Sequence, residues 1–369
     1  MKRHNLLFAV VVGLLIVPQS VFAQINFSVS FNDPNGDLTA ASAHIQSHVI
    51  AAGKRWASHL VGRGDIEVVV RSSSAVPYAE GRSFTSNFVR NNGTFDVFEQ
   101  GMAAEIRTGI DPNGSEPDVE IEINPNYVYN ELWFDPNPSS RTAIVDINRT
   151  DAMSTFLHEF GHALGYSGWI NPTTGTVPGN YQSTLDELTT FDGSNFYFHG
   201  PESMARYGAP VPMTYGTPSH VANFDPRPGA DLTLDLMNGL VFYRGSRYDI
   251  SPLNIAMLRD TGVPLVYLAG DYNGDGSVNS SDYNIWKTAF GSTALPLVDG
   301  NRNGVVDAAD YTVWRDNLGA STGAGSISSL PTPEPTSMNL VLAVLIISKS
   351  FQRLNRMARR RSKKSHTLQ

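Results

Sequence analysis

Apolar positions recur with helical spacing in two segments of the first half of the chain. Over residues 38–60, Ile45, Val49, Trp56 and Leu60 fall on one side of a 3.6-residue repeat, which predicts a long helix. Over residues 150–165, Ala152, Met153, Phe156, Phe160, Ala163 and Leu164 repeat in the same way. Thr150-Asp151 stands where an N-cap belongs, and Gly165 where such a helix can end. Residues 66–70 and 119–123 are short, β-branched runs that predict strands. Helix, strands and a second helix in this order predict an α+β domain. At the front, Lys2 and Arg3 precede an apolar run over 6–17, Pro18 breaks it, and Val21-Phe22-Ala23 follows. That layout predicts a secretory signal peptide over residues 1–23, cleaved after Ala23. The run is shorter than the ~20 residues a membrane span needs.

A chain of 369 residues is long enough for about two domains. It has no cysteine, which excludes disulfides, thiolate metal sites and a cysteine nucleophile. The formal net charge of -8 argues against general nucleic-acid binding. The charge is uneven: residues 24–330 hold 17 basic and 34 acidic side chains, whereas 349–364 hold eight Lys/Arg and no acid. An acidic body of this kind suits calcium.

Calcium chemistry is visible in a late repeat. Asp271-Tyr-Asn-Gly-Asp-Gly-Ser-Val-Asn-Ser-Ser-Asp282 leads into Tyr283 and Trp286. Asp299-Gly-Asn-Arg-Asn-Gly-Val-Val-Asp-Ala-Ala-Asp310 leads into Tyr311 and Trp314. Oxygen side chains fall at loop positions 1, 3, 5, 9 and 12: Asp271, Asn273, Asp275, Asn279 and Asp282, then Asp299, Asn301, Asn303, Asp307 and Asp310. Gly276 and Gly304 allow the sharp turn at position 6, and Ser277 and Val305 supply a backbone carbonyl at position 7. The pair resembles the type I dockerin, a small α-helical module with two calcium loops, over residues 270–320. The resemblance implies two structural Ca2+ ions and a cohesin-like partner. A calcium-set spacer without a cohesin is the other reading.

The helix predicted over 152–164 carries His158-Glu159-Phe160-Gly161-His162. Histidines at i and i+4 present both imidazoles from one face, where they can share a metal, and Glu159 lies beside them to take a proton from water. Two imidazoles, a third protein ligand and an open position suit zinc. Gly165 matches the metzincin pattern HExxHxxGxxH, but the third histidine of that pattern would stand at Gly168. The leishmanolysin-like metzincins take their third histidine from farther downstream. The stretch 198–212, followed by Ser219-His220, resembles theirs, although Val221 replaces an aromatic residue. Asp235-Leu236-Met237-Asn238 resembles the Met-turn, and 250–262 the closing helix. The resemblance spans residues 24–268 and implies a zincin or metzincin-like fold, with one catalytic Zn2+ held by His158, His162 and His220, Glu159 as base and Met237 as support. His199 is the alternative histidine, and Glu187 or Glu202 would serve a glutamate-ligated site. Tyr215 is a weak candidate for stabilising the oxyanion.

Residues 321–337 form a Gly/Ser/Pro-rich linker ending near Pro333-Glu334-Pro335, and 338–369 hold a short apolar stretch and a basic cluster. This order resembles the PEP-CTERM sorting signal. It implies export to the envelope or exterior of a Gram-negative bacterium and transient membrane contact of the tail. Together these readings predict a secreted zinc metalloendopeptidase acting on protein or peptide substrates. The alternative is a non-catalytic matrix or surface protein that uses the same scaffold with calcium-set repeats.

Overall fold

In the computed structural model, the described residues are 24–222, 231–240, 242–293, 295, 298–301 and 303–321. The segment expected to be a signal peptide, the Pro-Glu-Pro motif and the apolar and basic tail lie outside them, and all the described residues belong to one compact unit. The architecture is mixed α+β. No helix among the described residues is long and apolar enough to cross a membrane.

The first layer is a four-stranded sheet. Strand β1 (Ile25–Asn32) is followed by helix α1 (Ser42–Ala57) and β2 (Gly64–Ser72). Then come β3 (Ala79–Ser83), β4 (Ser86–Asn91), β5 (Asp96–Gln100), helix α2 (Gly101–Thr108) and β6 (Val119–Ile123). The sheet order is β1-β2-β6-β3, with β1, β2 and β6 parallel and β3 antiparallel at the edge. Parallel neighbours need a long crossover, and α1 supplies it between β1 and β2. The expected strands at 66–70 and 119–123 are β2 and β6. β1 was not among the sequence expectations, although Ile25, Phe27, Val29 and Phe31 alternate with polar residues as a half-buried strand does. The helix expected over 38–60 is shorter: a 3₁₀ turn over Thr39–Ala41 leads into α1. Ile45, Val49 and Trp56 are fully buried as expected, while Leu60 lies past the helix end and bridges to Leu265.

Helix α3 (Pro125–Asn130) and the short strands β7 (Leu132–Trp133) and β8 (Thr150–Asp151) lead into the central helix α4 (Ala152–Leu164). Its start is capped by Asp151, whose carboxylate accepts from the Ser154 N–H at 3.2 Å and from Arg141 at 2.9 Å. Phe156, Phe160 and Leu164 are fully buried, and burial of each is worth roughly 1.5–3 kcal/mol. α4 packs on α1, where the Trp56 indole N–H donates to the Leu157 carbonyl at 2.9 Å. Phe27 of β1 meets Phe160 edge-on at 5.6 Å. α4 ends before Gly165 as expected. Gly165 has an extended φ of 176°, so its lack of a side chain serves close packing: a Cβ there would lie 2.8 Å from Leu258.

Beyond α4 the chain forms β9 (Tyr181–Ser183), α5 (Thr184–Glu187), β10 (Thr189–Phe191), β11 (Phe196–Phe198), α6 (Pro201–Tyr207), β12 (Val211–Pro212) and α7 (Pro252–Asp260). Isolated bridges join Val221 to Met213 and to Asn238, laying the His220 segment beside the Met237 segment. Helices α8 (Ser280–Ala289) and α9 (Ala308–Asp316) close the described chain.

Candidate metal centre and calcium loops

Three histidine side chains meet at one point. His158 and His162 come from successive turns of α4, and His220 from the loop after β12. The Nε2 atoms lie 3.1 Å (His158–His162), 3.0 Å (His162–His220) and 3.1 Å (His158–His220) apart. His158 Nδ1 donates to the Leu236 carbonyl at 2.7 Å, and His162 Nδ1 to the Tyr166 carbonyl at 2.6 Å. A carbonyl only accepts, so both neutral rings carry their proton on Nδ1 and turn the Nε2 lone pair inward. Lone pairs held this close repel unless a cation sits among them. Nitrogen ligands about 2.0–2.1 Å from a tetrahedral zinc lie roughly 3.3 Å apart, close to the separations here. The donor set therefore fits zinc. Burial pushes all three imidazoles towards the neutral form, His158 down to about 3, His162 below its ordinary value and His220 well below. Neutral imidazole is the form that binds metal.

The support beneath the histidines comes from the Met237 segment. Met237 is fully buried, and Gly161 lies so close that a Cβ there would fall 2.4 Å from the methionine sulfur. Gly161, the residue before His162, thus makes room for the thioether under the helix. The Met237 carbonyl accepts from the Val221 N–H at 2.9 Å, tying this segment to His220. The half-buried Asp235 carboxylate accepts from the Met237 N–H at 2.8 Å and from Ser251 and Asn254 at the start of α7, both at 2.7 Å. The closing helix thereby holds the turn in place.

Glu159 is buried next to the histidines, and its Oε2 accepts from the Gly81 N–H at 2.6 Å. Burial pushes the Glu159 carboxyl up to about 8, with the nearby Glu80 adding to the rise and the Gly81 hydrogen bond opposing it. A Cβ on Gly81 would lie 2.5 Å from the Glu159 carbonyl oxygen, so glycine is what lets edge strand β3 approach α4. A cleft of about 440 Å³ opens here, with His158, Glu159 and His220 on its wall and Ala79, Tyr127 and Phe242 around them. The buried Tyr127 hydroxyl pairs with Thr155 at 3.1 Å.

The residues considered as alternatives lie elsewhere. His199 is exposed and pairs with the Thr190 hydroxyl at 2.9 Å. Glu187 is ion-paired with Arg90, and Glu202 with Arg259 at 2.9 Å. Tyr215 is exposed and does not line the cleft. The sequence reading missed Gly81 and Tyr127. Gly81 lies in a segment with no strand pattern of its own, so its close approach to α4 has no local sequence signal.

The two calcium loops are near copies of each other. Asp282 and Asp310 are fully buried. Asp282 accepts from the Asn273 N–H at 2.9 Å and the Asn279 N–H at 2.8 Å; Asp310 accepts from Asn301 at 3.0 Å and Asp307 at 2.7 Å. Asp271 accepts from the Asp275 and Gly276 N–H groups, and Asp299 from those of Asn303 and Gly304. Gly276 and Gly304 adopt φ of 82° and 90°, the left-handed turn expected at position 6. Asn279 and Asp307 cap α8 and α9 through their side-chain oxygens. The loop oxygens are thus engaged with backbone N–H groups, and the three carboxylates of neither loop converge within 4.8 Å of one another. The halves interlock reciprocally: the Trp286 indole donates to the Asp307 carbonyl at 2.8 Å, and the Trp314 indole to the Asn279 carbonyl at 2.7 Å. Tyr283, Trp286, Tyr311 and Trp314 pack together between the halves, with Tyr283–Trp314 and Trp286–Tyr311 ring centroids both 5.2 Å apart.

Comparison with curated proteins and with solved structures found no match. A protein-family model, the type I dockerin domain, matches residues 269–319, where the repeat lies. Dockerin domains bind calcium and cohesin modules and occur in extracellular proteins. The C-terminal part of the described chain is therefore a dockerin-type module.

Proposed function

We propose that the chain is an exported zinc-dependent endopeptidase of zincin, metzincin-like architecture, with its catalytic body over 24–268 and a dockerin module that takes two Ca2+ ions and docks on a cohesin-like partner. The observation that carries the reading is the convergence of His158, His162 and His220 within 3.1 Å, with Glu159 beside them on the cleft wall. His158, His162 and His220 would hold the zinc. Bound there, zinc would supply Lewis acidity that polarises a peptide carbonyl and acidifies water. In its ionised form, which the charge of a bound zinc would favour, Glu159 takes the proton from the attacking water and returns it to the leaving amine. The Gly81 N–H fixes the carboxylate for that transfer. The exposed edge of β3 beside the cleft offers backbone groups to an extended peptide, as sheet edges do.

The test is hydrolysis of an unfolded protein such as casein by the purified chain. Activity should disappear with a zinc chelator and return on adding zinc. A zinc-loaded chain that cleaves no unfolded protein would leave the non-catalytic scaffold reading in its place.

A further inference from the structure

A second group of metal-ligating side chains lies away from the histidine centre. Glu105 on α2, Asp111 on the following loop and Asp118 just before β6 bring one oxygen each within 4.8 Å of one another. Glu105 and Asp118 are 3% and 1% exposed, so their environment is protein and not water. Each has one oxygen held by the backbone: Glu105 Oε1 accepts from the Asp65 N–H at 3.0 Å, and Asp118 Oδ2 from the Glu67 N–H at 2.9 Å. The other oxygens, Glu105 Oε2 and Asp118 Oδ1, are buried with no hydrogen-bond partner. Among the described residues, no Lys, Arg or His forms an ion pair with any of the three acids. Buried carboxylate oxygens left unpaired beside each other are strongly disfavoured unless a cation or a proton compensates. The Asn113 side-chain carbonyl, in the same loop, is also buried without a partner.

We infer that Glu105, Asp111 and Asp118 bind a third calcium ion, separate from the dockerin loops. All-oxygen donors with carboxylate charge select a hard cation, and an irregular donor set drawn from a helix, a loop and a strand start suits the adaptable coordination of calcium over the stricter octahedron of magnesium. The ion would tie α2 to the start of β6, the strand that carries β3 and hence Gly81. Burial pushes the Asp118 carboxyl up to about 6, with the Glu105 carboxylate adding to the rise and contacts with Glu67 opposing it, and burial pushes Glu105 in the same direction, with Asp111 and Glu67 adding and the contact with Asp118 opposing. A carboxyl–carboxylate pair sharing a proton is the competing arrangement.

The experiment is calcium counting on the full purified chain after dialysis against about 1 mM free calcium, a concentration at which extracellular sites fill. Glu105→Gln and Asp111→Asn should each carry one calcium fewer per chain than the wild type. Asp111 is exposed, so its variant keeps the fold if the buried Glu105→Gln does not. Thermal unfolding gives a second reading. Calcium should raise the wild-type midpoint more than that of either variant, while in chelator the variants should unfold no earlier than the wild type. Equal calcium content in wild type and both variants would overturn the site and leave the shared proton in its place.

Discussion

His162 Nε2 lies 3.0 Å from His220 Nε2 although 58 positions of sequence separate them. The loop that carries His220 is held by the Val221–Met237 backbone hydrogen bond, and Met237 in turn sits under Gly161 on the His162 turn. Helix, loop and methionine therefore form one mechanical unit around the three imidazoles. His220→Ala should lower zinc content and hydrolysis together, while His199→Ala should change neither. Metal analysis of the two variants checks this, and loss of zinc in His199→Ala would contradict the ligand assignment.

Gly81→Ala tests the contact between edge strand and helix. The added methyl would have to occupy a point 2.5 Å from the Glu159 carbonyl oxygen, which belongs to a rigid helix and cannot yield. The strand must retreat, and the N–H that holds Glu159 Oε2 retreats with it. A misplacement of about 1 Å can cost ~10²-fold in rate. Hydrolysis should fall by that order with zinc content unchanged. Full activity would show that Gly81 does not position Glu159.

Gly161→Ala should act on stability. Its methyl would meet the Met237 sulfur at 2.4 Å in a fully buried place, and overpacking of this kind costs roughly 1–3 kcal/mol. Thermal unfolding should show a lower midpoint, and Gly161→Ala should cost less in a Met237→Ala background than in the wild type. An unchanged midpoint in the single variant would contradict the close packing.

Calcium removal should loosen residues 271–310 and leave the histidine centre folded. Asp282 and Asp310 are buried acids whose carboxylates organise their loops, and a module of ~50 residues whose buried apolar side chains, among the described residues, are Tyr272, Val278, Ala289, Val298 and Val306 has a small core to hold it. Limited proteolysis of the full chain with and without a calcium chelator should place new cuts in this segment. Asp282→Asn should show the same cuts in the presence of calcium. Cuts that ignore calcium would contradict a calcium-held module.

The elements legible in the sequence are those whose signal is local. α4 announces itself by apolar spacing and the Asp151 cap, β6 by its β-branched run, and the dockerin module by a duplicated loop whose chemistry needs no tertiary context. A lone histidine in a loop has no periodicity, so His220 is legible only through its surroundings: the 198–212 stretch before it, the Ser219-His220 step and the Met237 segment after it. β3 was not legible: Ala-Glu-Gly-Arg-Ser has neither strong alternation nor β-branched residues, and it is a strand because it pairs with β6. Glu105 gave no warning of burial either. Its partners Asp111 and Asp118 meet it only once α2 packs beside the sheet.

The central claim is that Glu159 works as a base beside a metal held by three histidines. The most direct test measures zinc content and casein hydrolysis side by side for the wild type and Glu159→Gln. Glutamine keeps the shape and removes the basic oxygen without touching a ligand. The account predicts equal zinc in both proteins and a loss of hydrolysis of at least ~10²–10⁴-fold in the variant. Hydrolysis within about tenfold of wild type, at equal zinc, would contradict it.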